Sequence, residues 1–274
     1  MAVSLPQLLA ALELLAPLKF AEPWDNVGLL LEPVPAPQAA PLEHVLLTID
    51  LSDDVVEEAE ALGAGLIIAY HPPIFQGLKR LRSTQPGERS ILRCAARGIA
   101  IFSPHTALDA APGGVNDWLL DAFGPGQRGP CAPHPLDSRF GQGRFVQLAD
   151  AITLGAAVAA IKKHLGLSQL RVAEAFARGD EPRGPLSIRN IAVCAGAGGS
   201  VFEKLSGYDL YFTGEMRHHD VRARVASGSS VVLCEHTHTE RGYLRSLAAH
   251  LTRETNSAAA FHLSQRDRDP LSWA

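Results

Sequence analysis

The chain has 274 residues, a formal net charge of −4 at pH 7 and 46% hydrophobic residues. This apolar share is too high, and the charge too small, for an intrinsically disordered protein. The mildly acidic balance argues against direct nucleic-acid binding, which usually needs a basic excess. The longest apolar stretch, residues 5–18, contains polar residues and a proline and is shorter than the roughly 20 apolar residues that span a bilayer.

Capping residues and apolar spacing predict alternating helices and strands, the pattern of an α/β fold. In chain order, the predicted elements are a helix over 5–15, a strand over 44–49, a helix over 53–62, strands over 65–69 and 99–102, helices over 115–123 and 154–165, a strand over 191–194, a short helix near 201–205, strands over 209–212 and 230–233, and a helix over 241–251. Residues 124–143 contain five glycines and four prolines, which predicts a domain boundary.

The four cysteines form no C-x-x-C pair, which excludes a structural zinc knuckle. Such sparse cysteine is typical of a reducing compartment. No basic segment with a small-residue cleavage site accompanies the first apolar stretch, so we expect no signal peptide. These features predict a cytoplasmic protein that has no membrane segment.

Histidines and carboxylates directly follow two strands in the first half of the chain. Ligands of open α/β sheets bind at the carboxyl ends of strands, so these positions are candidate sites. His71 follows the strand over 65–69 and precedes two prolines, although a hydrogen-bonded histidine in a tight turn would fit equally. His105 and Asp109 lie four residues apart and would share one face of a helix, or Asp109 would only cap that helix.

The second half of the chain repeats this placement. Glu215, His218 and His219 follow the strand over 209–212, and the alternative is a solvated helix start. His236 and Glu240 form an H-x-x-x-E pattern after the strand over 230–233, a spacing that helices also match by chance. Imidazole and carboxylate are good ligands for zinc, manganese or iron(II). The glycines at 196–199 could hold an anion on backbone N–H groups, but a tight turn is the favoured interpretation. Together the segments predict a His/carboxylate metal centre, in which two ions could activate a hydroxide.

Several stretches match the motifs of one known family. They are WDNVG at 24–28, HPPIF at 71–75, HTALD at 105–109, TGE at 213–215, CEHTHTERGYL at 234–244 and DRDPL at 267–271. Because they occur in order along essentially the whole chain, the sequence resembles the GTP cyclohydrolase 1 type 2 family, also called the NGG-interacting-factor-three-like family. The resemblance implies two α/β domains with a dinuclear metal site in the cleft between them, and a toroidal homohexamer.

The resemblance also assigns roles to residues of this chain. With the boundary above, it gives an N-terminal metal-binding domain of residues 1–126 plus about 243–274, and a second domain of residues 140–242 that carries the H-x-x-x-E motif. Asp109 and Glu240 are the candidates that would bridge two divalent ions. The implied metal ligands are His71, Asp109, His236 and Glu240. The implied proton-transfer or supporting residues are His105, Glu215 and His218.

Two departures from the family pattern affect the expected site. Many bacterial members have a His-His pair in the first motif, whereas this chain has Tyr70 before His71. One metal site therefore loses a ligand, or the Tyr70 phenol replaces it. His219 and His238 are further candidates for the lining of the cleft. The chain also lacks the inserted domain of larger members, which makes it a compact form with a more open cleft.

The leading hypothesis is a metal-dependent hydrolase. If the cyclohydrolase resemblance extends to activity, metal-activated water would open the guanine ring of GTP at C8. A triphosphate would need cations, for which ordinary surface charge is the alternative interpretation. The candidate cations are Lys79, Arg80, Arg82, Arg217 and Arg241.

Two other hypotheses stay open. The second is a metal-binding regulatory protein with a protein partner and no catalysis, and the third is an α/β protein with scattered surface histidines. The expected ligands are two divalent ions and a nucleotide-like small molecule, with neither nucleic acid nor a membrane as a direct partner.

Overall fold

The computed structural model describes residues 3–34, 41–176 and 186–272. They divide into two compact units, Met1–Leu108 with Tyr243–Ala274, and Asp109–Gly242. Each unit contains one β-sheet with helices, so the predicted α/β class is confirmed. Within the described ranges, no helix is both long and apolar enough to cross a membrane.

Helices and strands are numbered in chain order over the described residues. The helices are α1 (Leu5–Leu15), α2 (Asp53–Leu62), α3 (Pro86–Arg97), α4 (His105–Ala110), α5 (Val115–Leu120), α6 (Leu154–Leu165), α7 (Gly199–Phe202), α8 (His218–Ala226) and α9 (Leu244–Glu254). The strands are β1 (Gly28–Leu31), β2 (His44–Thr48), β3 (Leu66–Ala69), β4 (Ala100–Ser103), β5 (Gly126–His134), β6 (Asp137–Thr153), β7 (Arg171–Ala173), β8 (Ser187–Ala197), β9 (Leu210–Glu215), β10 (Ser230–Leu233) and β11 (Ala260–Leu263).

The first unit has a five-stranded sheet in the order β1-β4-β3-β2-β11. Strands β11, β2, β3 and β4 are parallel, and β1 is antiparallel to β4. The central strands are continuous apolar runs because both faces of a parallel sheet are covered. Leu46, Ile67 and Ile101 pack with Val55 and Val56 of α2 in the core. The carboxyl ends of β2, β3 and β4 therefore lie at one edge of this sheet.

The second unit has a six-stranded sheet in the order β5-β6-β8-β9-β10-β7. Strands β8, β9 and β10 are parallel, and the outer strands pair antiparallel. Phe202, Tyr211 and Val231 are buried in its core. The carboxyl ends of the three parallel strands again share one edge, where the residues after β10 begin the H-x-x-x-E segment.

The glycine- and proline-rich stretch 124–143 is mostly strand and not a linker. It forms β5 and the start of β6. Prolines are tolerated in β5 because it is an edge strand. Glycines are needed where the strands approach closely, since a Cβ on Gly126 would lie 2.2 Å from the Gln147 carbonyl oxygen and one on Gly141 would lie 2.1 Å from that of Ala132. The composition here reflects close strand pairing.

The division of the chain also differs from the predicted one at its first boundary. The prediction kept residues up to 126 in the first domain, whereas the second unit begins at Asp109. Helix α5 packs against β6 and β8. The buried Asn116 side chain accepts a hydrogen bond from the backbone N–H of Ala195 at 2.8 Å. These contacts place α5 with the second sheet.

Candidate metal centre

His71 lies two residues beyond β3 and continues the backbone hydrogen bonding of the first sheet. Its N–H donates to the Ile49 carbonyl at 3.1 Å, and Pro72 and Pro73 then end the strand. The imidazole Nδ1 lies 2.9 Å from Asp50 Oδ1, and the side chain is 22% exposed. A carboxylate at one imidazole nitrogen fixes the ring orientation and raises the basicity of the other nitrogen. Asp50 thus prepares His71 to act as a ligand through Nε2.

His105 is held by a second carboxylate, from Asp25. Nδ1 of His105 lies 2.8 Å from Oδ1 of Asp25, whose side chain is fully buried. Thr106 donates to the other carboxylate oxygen through its backbone N–H and its hydroxyl. Burial raises the pKa of Asp25, but the hydrogen bonds from His105 and Thr106 lower it by more, so the pKa lies below its ordinary value. Asp25 is therefore a buried anion that orients His105.

His105 also has an unusual backbone. Its φ is +26°, a conformation that non-glycine residues adopt at a cost. It directly follows Pro104 and opens α4 at the carboxyl end of β4. The Tyr70 ring, almost completely buried, packs edge-on against the rings of His71 and His105, with centroids 5.5 and 6.0 Å apart. Tyr70, predicted as a supporting residue or a ligand, packs against both histidines, whose own rings are 5.4 Å apart between centroids.

His236 and Glu240 converge in the second unit. Nε2 of His236 lies 3.3 Å from Oε1 of Glu240, and Nδ1 lies 3.5 Å from Oε1 of Glu215. The Glu240 side chain is 4% exposed, whereas those of His236 and Glu215 are 34% and 47% exposed. The imidazole is therefore bracketed by one buried and one solvated carboxylate. This is a donor set that suits a divalent metal.

The backbone around this pair leaves space for the two side chains. A Cβ on Gly196, at the end of β8, would lie 2.7 Å from Oε1 of Glu240 and 2.8 Å from Nε2 of His236. Gly196 has φ +59°, which also favours glycine. Its N–H donates to the Thr239 hydroxyl at 2.8 Å, and that hydroxyl donates to the His236 carbonyl at 2.7 Å. The glycine turn thus forms a cradle for both donors.

A strained residue begins the His236 segment. Glu235 has φ +64°, and its carboxylate lies 2.9 Å from Nη2 of Arg171 on β7. Gly214 packs closely against the backbone of this turn. A Cβ on Gly214 would lie 2.8 Å from the Glu235 carbonyl oxygen and 2.8 Å from the His236 Cα. A close backbone approach and an ion pair therefore hold this turn.

Among the described residues, the ligand atoms that could hold a metal ion belong to His71 in the first unit and to His236 and Glu240 in the second. Asp109 does not belong to this group. It lies half-buried on α4, and its backbone carbonyl accepts a hydrogen bond from Asn116 Nδ2 at 3.0 Å. Its predicted role as a ligand stays a prediction.

The remaining predicted histidines have less defined surroundings. His218 and His219 are exposed at the start of α8, with ring centroids 5.4 Å apart. Nδ1 of His238 lies 2.8 Å from the Cys234 carbonyl oxygen, a contact that holds the ring against its own turn. The structure therefore gives His238 a local backbone contact and leaves His218 and His219 at the surface.

The predicted cations are divided between the two units. Lys79, Arg80 and Arg82 lie on the exposed segment between β3 and α3. Arg217 is 86% exposed and donates to Asp220 at 2.9 Å, while Arg241 donates to the Thr237 hydroxyl at 3.4 Å. Arg217 is thus paired within its own helix start, and an anionic substrate would have to compete for it.

Cysteine thiols do not compete with these donors. Burial raises the pKa of Cys94 and of Cys234 to about 12, so both remain protonated near neutral pH. A thiol with such a pKa is a poor metal ligand.

The model of the Duf34/NIF3 (NGG1p interacting factor 3) family matches residues 3–270. The chain belongs to this family. The protein NIF3 homolog of Schizosaccharomyces pombe is 42% identical over 268 residues, which cover 93% of this chain and 92% of that protein. The NIF3-like protein 1 of Drosophila melanogaster is 39% identical and is covered to 86%, with 95% of this chain matched. A solved Bacillus cereus protein related to NIF3 is 21% identical with a TM-score of 0.86, both chains being fully covered, and it has the same fold.

Three site residues of this NIF3-family chain were missed by sequence reasoning. Asp25 and Asp50 hold the two histidines of the first unit, and Gly196 makes room for the donors of the second. Asp50 stands directly after a predicted strand, and Asp25 belongs to the WDNVG stretch, so both carried a signal. Gly196 was interpreted as part of a tight turn, with an anion-binding loop as the alternative.

Proposed function

We propose that this NIF3-family protein is a metal-dependent hydrolase. The observation that carries the proposal is the buried Glu240 carboxylate beside Nε2 of His236, in a cradle that a Cβ on Gly196 would fill. An imidazole nitrogen and a carboxylate oxygen this close together form a donor pair that suits a divalent cation. His71 would complete the group.

The donor chemistry supports zinc, manganese or iron. Two imidazoles and one carboxylate are borderline ligands that all three metals accept. We further propose two ions, which Asp109 and Glu240 would both help to hold. Such ions lower the pKa of a water molecule towards about 7 and polarise the bond to be cleaved. The chain's own residues then have to hold the substrate and move protons.

His105 is the best-placed residue for proton transfer. Asp25 at Nδ1 fixes its tautomer, so that Nε2 faces away from the buried carboxylate and can exchange a proton. Glu215, half-exposed beside His236, and the exposed His218 would take supporting roles. The substrate we propose is nucleotide-like, with ring opening of GTP as the specific candidate. Lys79, Arg80, Arg217 and Arg241 would balance its phosphate charge.

The second candidate is a metal-binding regulatory protein without catalysis. The family description names an interacting factor, which favours a protein partner. Under either candidate we propose a cytoplasmic homo-oligomer, with a hexamer as the specific assembly. The two candidates differ in whether any nucleotide is turned over.

The proposal is tested by assaying metal-reconstituted protein with GTP and a panel of other nucleotides. Turnover should require added metal and should be lost in Glu240→Gln and His71→Ala proteins. His250→Ala, which changes a histidine of α9 outside every motif, is the matched control and should keep full activity. Undiminished turnover in Glu240→Gln protein would contradict a metal mechanism. If no nucleotide is turned over or thermally stabilises the metal-loaded protein, the regulatory candidate is favoured.

A further inference from the structure

Two large aromatic side chains are exposed beside His105. Trp24 is 59% exposed and Phe75 is 46% exposed, and their ring centroids are 6.0 Å apart at an angle of 58°. Both rings meet the His105 ring at steep angles, 76° for Trp24 and 74° for Phe75, with centroids 6.1 and 6.5 Å away. We call Trp24 and Phe75 the aromatic shelf. It has the His105 ring along one border.

Asp25 and Asn26, the two residues that follow Trp24, fix the backbone that carries the shelf. The Asp25 carboxylate is fully buried, contacts Nδ1 of His105 and accepts a hydrogen bond from the backbone N–H of Thr106. The Asn26 side-chain amide donates to the carbonyl of Ile74, next to Phe75. One short stretch therefore fixes the backbone beside both aromatic rings. Because about half of each residue stays in solvent, this anchoring presents the two rings outward.

We propose that the aromatic shelf binds a planar heteroaromatic ring, such as a purine, by stacking. The angle between the two rings is too wide for a sandwich, so the ligand ring would lie on the exposed face of Trp24, with Phe75 against its edge. Aromatic side chains stack on any base because each has a π-face. This inference rests on the proposed function, since it names the substrate class of that site.

Position and charge favour a small ring over an apolar protein segment. The His105 ring that borders the shelf lies 5.4 Å, between centroids, from the ring of His71, so a stacked ligand would lie next to a candidate metal ligand. Lys79 and Arg80 follow Phe75 by four and five residues on the same exposed segment. Those cations suit an anionic group attached to the ring, which is the chemistry of a nucleotide.

Calorimetric titration with guanosine and with ribose 5-phosphate tests the proposal on the full chain. Guanosine should bind saturably and quench tryptophan emission, and ribose 5-phosphate should not quench it. Trp24→Ala should weaken guanosine binding by about 5- to 150-fold, the range of one stacked base. Trp24→Phe should retain most of the binding and lose the quench. Phe176→Ala removes an aromatic ring with the same 59% exposure and should change neither.

Three results would overturn the shelf as a ring site. The first two are the absence of guanosine binding and an unchanged guanosine affinity in Trp24→Ala protein. The third is a Trp24→Ala protein that differs from the wild type only in its sedimentation velocity, which would make the shelf a contact between copies of the chain. The titration is repeated after metal removal with EDTA. One further outcome is guanosine binding that depends on Trp24 and persists without metal, while the protein, once reloaded with metal, turns over no nucleotide. That result would support the shelf and refute the hydrolase proposal.

Discussion

The carboxyl edges of the two sheets use the same residue types in different ways. In the first unit, Asp25 and Asp50 contact the Nδ1 atoms of two histidines and orient their rings. In the second unit, the buried Glu240 lies at Nε2 of His236, in the space that Gly196 leaves open. The carboxylates of the first edge orient histidine rings, whereas the buried carboxylate of the second edge is itself a candidate metal ligand.

The difference shows that a carboxylate near a histidine has no fixed role. Asp25 is saturated by hydrogen bonds from His105 and from the backbone and hydroxyl of Thr106, so its charge is already compensated. Glu240 contacts the His236 imidazole beside Gly196, which makes its carboxylate a candidate metal ligand. Single substitutions at the two edges separate these two roles.

Gly196→Ala should have the largest effect on the second edge. The new Cβ would collide with Oε1 of Glu240 and Nε2 of His236, and its φ of +59° would add backbone strain. We expect metal affinity to fall by more than about 100-fold, because displacing ligands should exceed the cost of losing their outer partners. Gly207→Ala has a similar strain, with φ +82°, and open space around it. If Gly207→Ala loses as much metal affinity, the cradle is not the cause.

Asp50→Asn should weaken the first edge less. The amide keeps the volume of the side chain and removes the charge that orients His71 and raises its basicity. Metal affinity should fall by about 10- to 100-fold, the usual cost of an outer partner. Competition with a chelator measures this fall. A change as large as that of Gly196→Ala would mean that Asp50 is itself a ligand.

Asp25→Asn should act on stability and its pH dependence. Removing a buried carboxylate that accepts charge-assisted hydrogen bonds should cost about 1.5–3 kcal/mol in the free energy of unfolding. The pKa of Asp25 is lowered in the folded protein, so its contribution is present above the unfolded pKa and is lost as pH falls through the folded value. Urea unfolding from pH 7 down to pH 3 should show the two proteins converging towards acid. A constant gap across that range would contradict this role.

Arg171→Ala should have the smallest effect. Its ion pair with Glu235 is more than half exposed on the arginine side, so water and salt screen it. We expect a loss below about 1 kcal/mol in the free energy of unfolding and an unchanged metal affinity. A marked loss of metal affinity would show that the Glu235 turn depends on this ion pair.

Local patterns predicted the parts of the fold that local physics determines. The apolar runs predicted β2, β3 and β4, and Ser52 and Gly63 predicted the ends of α2, where the serine accepts from Val55 and the glycine has φ +66°. The segments missed were those with weaker local patterns. Strand β1 is antiparallel to β4 at the sheet edge, and β5 contains prolines that only an edge position allows.

The sequence predicted the candidate metal donors of the site but not the carboxylates that orient its histidines. His236 and Glu240 are four residues apart, so the sequence shows them together. Asp25 and His105 are 80 residues apart and meet only because β4 ends beside the WDNVG stretch. Pairings of this kind depend on the tertiary fold, and a single sequence does not show them.

Metal binding by Glu240→Gln protein is the most direct test of the account. Metal-free wild-type protein, Glu240→Gln and the control Glu254→Gln, whose residue is exposed at the end of α9, would be titrated with Zn²⁺ and Mn²⁺ by calorimetry. We expect tight, saturable metal binding in the wild type and in Glu254→Gln protein, and loss of that binding in Glu240→Gln protein. Equal affinity and stoichiometry in all three proteins would contradict the central claim that Glu240 is a metal ligand.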